Sequence, residues 1–74
     1  MHIKISSTNA INRKERSVLR IYLNGIKIGE VFINTWKPLK YIQDHPKSKY
    51  RFRVIKLMRS YGVKDVDIFK ALGI

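Results

Sequence analysis

The chain has 74 residues, enough for one small domain, and its sixteen Lys and Arg outnumber five Asp and Glu to give a net charge of +11. A domain of this size buries only about 60 % of the surface its unfolded chain exposes, so nearly every apolar residue is needed for the core. With no cysteine there are no disulfide staples and no thiolate zinc sites, and the charge excess favours a polyanionic partner, nucleic acid above all.

The chain reads as soluble and cytoplasmic. The lack of cysteine fits a reducing compartment, and no stretch approaches the ~20 apolar residues of a membrane span. The opening MHIKISSTNA lacks the apolar run of a signal peptide. No membrane partner is expected.

His2-Ile3-Lys4-Ile5 alternates polar and apolar, which predicts a short strand with Ile3 and Ile5 inward. Ser6 to Asn12 reads as a polar loop. Arg13, Lys14 and Arg16 follow, broken only by Glu15. Such a run either guards a strand edge or grips phosphates.

From Ser17 to Ile33, SVLRIYL and IKIGEVFI flank Asn24-Gly25, the pair best suited to a type I′ turn because both central residues need positive φ. A two-residue turn sets Leu23 against Ile26, Tyr22 against Lys27, Ile21 against Ile28, Arg20 against Gly29 and Leu19 against Glu30. One face then carries Leu19, Ile21, Leu23, Ile26, Ile28 and Phe32, a core surface. The other carries Val18, Arg20, Tyr22, Lys27, Gly29 and Val31, a basic surface with one aromatic.

Asn34 or Thr35 is placed to cap a short helix containing Pro38, Leu39 and Ile42 and ending near Asp44-His45-Pro46. Trp36, the only tryptophan, reads as a core plug. From Pro46 to Tyr61, Tyr50, Val54, Leu57, Met58 and Tyr61 recur at helical spacing, while Lys49, Arg53, Lys56 and Ser60 share another side with Arg59 beside them. Tyr50-Arg51-Phe52-Arg53-Val54 also alternates with period two. As a strand it would resemble the aromatic surface of RNA-recognition folds, but the longer helical pattern favours a helix stopping at Gly62. Lys64 to Gly73 predicts a last short helix, with Asp65 and Asp67 in its first turn and Val66, Ile68, Phe69 and Leu72 on an apolar side.

Val54 to Leu72 has a spacing similar to the apolar and glycine positions of a helix-turn-helix. It departs where DNA would sit, because Asp65 and Asp67 would face phosphates there. Asp65 and Asp67 point apart on a helix, and Glu15, Glu30 and Asp44 are scattered, which argues against a metal nuclease. His45 with Lys49 and Tyr50 is the one place a metal-free ribonuclease would use.

The expectation is an α+β domain, a small three-stranded antiparallel sheet built on the Asn-Gly hairpin and packed against C-terminal helices. Its core should include Leu19, Ile21, Leu23, Ile28, Phe32, Trp36, Leu57 and Phe69. The expected function is non-enzymatic nucleic-acid binding, DNA or RNA, with neither cofactor nor metal. Phosphate contacts are expected from Arg13, Lys14 and Arg16, from Arg20, Tyr22 and Lys27, and from Lys49, Arg51, Arg53, Lys56 and Arg59. The alternative is a small regulator or inhibitor that docks on the acidic groove of a nucleic-acid-processing protein. An unpaired hairpin edge is equally open to homodimerisation.

Overall fold

The computed structural model describes residues 2–8, 17–35 and 37–74. Arg13, Lys14, Arg16 and Trp36 lie outside the described residues. The order of elements is β1 (Ile3–Thr8), β2 (Ser17–Leu23), β3 (Ile26–Ile33), α1 (Pro38–Asp44), α2 (Lys49–Ser60) and α3 (Asp65–Leu72). The strands form an antiparallel sheet in the order β1-β2-β3. The helices cover one face of it, α1 against β2, α2 against β3 and α3 against β1. This is the α+β arrangement expected from the hairpin and the helical second half. None of the described helices is long and apolar enough to cross a membrane.

The turn forms as the Asn-Gly pair requires, with φ of 50° at Asn24 and 83° at Gly25. Asn24 also holds β1 in place. Its backbone N–H donates to the His2 carbonyl at 2.8 Å, and its Oδ1 accepts from the His2 N–H at 3.0 Å. β1 is longer than the apolar alternation suggests. Ser6, Ser7 and Thr8, expected in a loop, pair with Arg20, Leu19 and Val18. Strand pairing is made by the backbone, so these polar residues extend β1, and Arg20 Nη1 adds a hydrogen bond to Thr8 Oγ1 at 2.7 Å.

The main departure is in β3. Leu23↔Ile26 and Tyr22↔Lys27 pair as a two-residue turn dictates, but Ile21 then pairs with Gly29, Arg20 with Glu30, and Leu19 with Val31. Ile28 is the extra residue of a β-bulge, which shifts the register by one and exchanges the faces of everything beyond it. Val31 and Ile33 therefore enter the core, at 7 % and 0 % exposure, while Phe32, expected inside, is 50 % exposed on the outer face. Gly29 also turns inward, beneath α2. A Cβ there would stand 2.6 Å from Leu57 Cδ2, so any larger residue would have to displace the Leu57 side chain.

α1 starts at Pro38 after Lys37, one turn later than a cap at Asn34 or Thr35 would place it. Those two residues instead bend the chain away from β3. The Thr35 N–H donates to the Ile33 carbonyl, and the buried Ser17 hydroxyl donates to the Thr35 carbonyl. Residues 49–54 are helical, with Ser48 accepting from the Tyr50 N–H at 3.1 Å as the N-cap. α2 ends in a Schellman motif at Gly62 (φ 82°): Val63 N–H bonds the Met58 carbonyl and Gly62 N–H bonds that of Arg59.

Leu19, Ile21, Leu23, Val31 and Ile33 of the sheet meet Ile42 of α1, Val54, Ile55 and Met58 of α2, and Ile68 and Leu72 of α3. Ile28, Leu57 and Phe69 pack against this core only partly buried. Val66 and Tyr61, placed on apolar helical faces by spacing, are exposed instead. Both sit at helix ends.

The bulge makes a decisive prediction. Ile33→Ala should cost about 2–5 kcal/mol in urea unfolding, the range for emptying a core site. Phe32→Ala should cost less than about 1 kcal/mol, as at half-exposed positions without special contacts. The opposite ranking would mean a hairpin without the bulge.

Candidate nucleic-acid interface

The expected contact residues that are described fall into two groups. Arg20, Tyr22 and Lys27 share the outer face of the sheet, as their alternation predicts, and β1 adds Lys4, whose Nζ lies 5.9 Å from the centre of the Tyr22 ring. The bulge, however, brings a carboxylate onto this face. Glu30 stands opposite Arg20, 3.6 Å from its Nε and 3.0 Å from Lys27 Nζ. Two of the three cations on this surface are thus partly neutralised from within, which a regular register would not do.

The second group lies on α2, whose twelve residues hold five Lys or Arg and no Asp or Glu. Burying Val54, Ile55 and Met58 turns Lys49, Phe52, Arg53, Lys56 and Arg59 outward. Arg51 does not join them. At 3.6 residues per turn it falls about 200° around the helix from Lys49, and it is half-buried beside the packed side. Phe52 is 62 % exposed between the cations, an aromatic that the strand-like alternation drew notice to but that the helix alone turns outward.

Three of the described acids pair with cations other than Lys49, Arg53 and Lys56. Glu30 serves Arg20 and Lys27, Asp44 pairs with Lys40 at 3.0 Å, and Asp65 takes Arg59. Arg59 donates from Nε and Nη2 to the two Asp65 oxygens, each at 2.8 Å. This fork holds α2 to the start of α3 and withdraws Arg59 from the exposed row. Among the described residues no carboxylate forms an ion pair with Lys49, Arg53 or Lys56.

That row works against its own helix. Lys49 and Arg53 are four apart, and Arg53 and Lys56 three apart, like-charge spacings that cost a helix about 0.2–0.5 kcal/mol each. Lys49 and Arg51 also stand in the first turn, where the macrodipole disfavours cations. An anion laid along Lys49, Arg53 and Lys56 would relieve both effects.

The two groups face away from each other, one outward from the sheet and one outward from the helix layer. They approach only at the β3 edge, where Arg53 and Leu57 line a shallow groove of about 380 Å³ with Glu30, Val31 and Phe32. At the other end of α2, Lys49 and Arg53 lie 5.3 and 5.8 Å from the Tyr50 ring centre. Tyr50 meets Tyr41 edge-on, and Tyr41 stacks on His45. The sequence expectations do not pair Tyr41 with His45; their i, i+4 spacing at the end of α1 is the one signal that points to the stack. No group of three or more His, Cys, Asp or Glu gathers among the described residues.

The hydrogen bond from Arg59 holds the Asp65 carboxyl below its ordinary pKa. The folded state therefore binds this proton less readily than the unfolded chain, and the interaction stabilises the fold above the unfolded aspartate value of ~3.9. That contribution is lost as pH falls through the lower folded value. Asp65→Asn should be less stable than the parent at pH 7, by a small margin because the pair is exposed. The difference should close in strong acid, as read by urea unfolding at both pH values; a gap that persists there would mean the fork is not its source.

No family model, curated protein or solved structure matches this chain, so its function is read from its own geometry.

Proposed function

We propose that this protein binds nucleic acid without acting on it chemically, and that its principal contact surface is the exposed side of α2. One observation carries the proposal. Lys49, Arg53 and Lys56 line a helix face around an exposed Phe52, with no described carboxylate to neutralise them. Cations with no described carboxylate paired to them, displayed at a cost to their own helix, are suited to displacing counterions from phosphates. The outer sheet face is a weaker contact in this reading, because Glu30 competes there for Arg20 and Lys27.

Fluorescence anisotropy across a salt series tests this assignment. Three phosphate contacts correspond to a slope of about −2 in log K against log salt on single strands, and somewhat steeper on duplex. Arg53→Glu with Lys56→Glu should weaken binding at least about tenfold at low salt and flatten the slope by one or more. The same change of charge at Lys4 and Lys27 should cost much less. Equal losses from the two pairs would show that α2 is not the preferred surface. No binding to duplex DNA, single-stranded DNA or structured RNA at low salt would instead assign the cations to the acidic groove of a protein partner.

A further inference from the structure

The corner between α1 and α2 is shaped for a flat ligand, and we infer that it is a pocket for one unpaired nucleobase of a bound single strand. This inference rests on the α2 phosphate contacts proposed above. His45 closes α1, and both its backbone N–H and its Nδ1–H donate to the Tyr41 carbonyl, at 3.0 and 2.9 Å. Those bonds pin the imidazole over the Tyr41 ring, with centroids 4.1 Å apart and planes 18° from parallel. Tyr50 supports Tyr41 edge-on at 6.1 Å and 71°. The result is a small aromatic stack held from three sides, while His45 itself is exposed.

Beside the stack is a depression of about 430 Å³ lined by Tyr41, Asp44, His45, Pro46, Lys47 and Ser48. This lies within the range of small-ligand sites. Its one carboxylate, Asp44, is paired with Lys40, and Lys47 stands at the rim. Lys49 and Arg53, both at the Tyr50 ring, connect the depression to the α2 row. A planar, pinned, solvent-facing ring next to a line of cations fits the two halves of a nucleotide. The base would stack on His45 while its flanking phosphates run toward Lys49 and Arg53. A base inside a duplex has no free face to offer, so the ligand is a single strand.

The full chain would be titrated with a fluorescent oligothymidine or oligouridine strand and with an abasic deoxy strand of equal length, which carries the same phosphates without bases. The parent should bind at least one base-bearing strand about 5- to 100-fold more tightly than the abasic one, the range for one stacked base. His45→Ala, at an exposed position, should remove that preference and leave abasic binding unchanged; His45→Phe, which keeps a flat ring, should restore it. Arg53→Glu with Lys56→Glu should weaken both kinds of strand alike. Equal binding of both kinds by the parent, or a preference that survives His45→Ala, would overturn the pocket while leaving the α2 contacts standing. Failure to bind either strand would overturn the pocket, and failure to bind duplex DNA and structured RNA as well would overturn the α2 contacts.

Discussion

One extra residue in β3 decides what each side of this molecule offers. Because side chains alternate strictly along a strand, the bulge at Ile28 exchanges the two faces for every position after it. Val31 and Ile33 become core, Glu30 and Phe32 become surface, and Gly29 comes to lie under Leu57. The Leu57 side chain lies directly over Gly29, and α2 buries Val54 and Met58 in the core while Lys49, Arg53 and Lys56 face outward. In so small a domain, where few apolar residues are spare, this one register choice fixes both the packing and the charge pattern.

The same shift explains which parts of the fold were legible in the sequence. The strands of the hairpin, its turn, and the helices ending at Gly62 and Gly73 each follow from local chemistry: positive φ at Asn24 and Gly25, left-handed glycines after α2 and α3, and a 3.6-residue apolar period. A bulge leaves no such mark. IKIGEVFI reads equally well with Phe32 or with Val31 and Ile33 inward, and the packing of β3 into the core beneath the helices selects the second. The extension of β1 through Ser6, Ser7 and Thr8 was hidden for a related reason, since edge pairing relies on backbone groups that every residue carries.

The proposed interface was legible in part. Lys49, Arg53 and Lys56 at helical spacing were readable as one basic row, and Arg20 with Tyr22 and Lys27 as another. What composition could not convey is where the few acids go. Asp65 is six residues from Arg59 and joins it only because the Gly62 turn folds α3 back on α2. Glu30 reaches Arg20 only through the bulge. In a chain with so large a cationic excess, a surface is distinguished less by its cations than by the carboxylates it lacks.

That distinction bears on why the charge sits where it does. A surplus spread only for solubility would be placed most cheaply at helix C-termini and beside acids, as Lys40 beside Asp44 and Lys70 in the last turn of α3 are. The α2 row follows the reverse pattern, beginning in the first turn and repeating at repulsive spacings around an exposed phenylalanine. Arrangements that oppose local stability persist where another interaction compensates for them. Under the proposed function, a phosphate chain lying across Lys49, Arg53 and Lys56 would supply that compensation in a way a soluble cationic surface would not, and it would lead toward the Tyr41–His45 stack at the end of α1.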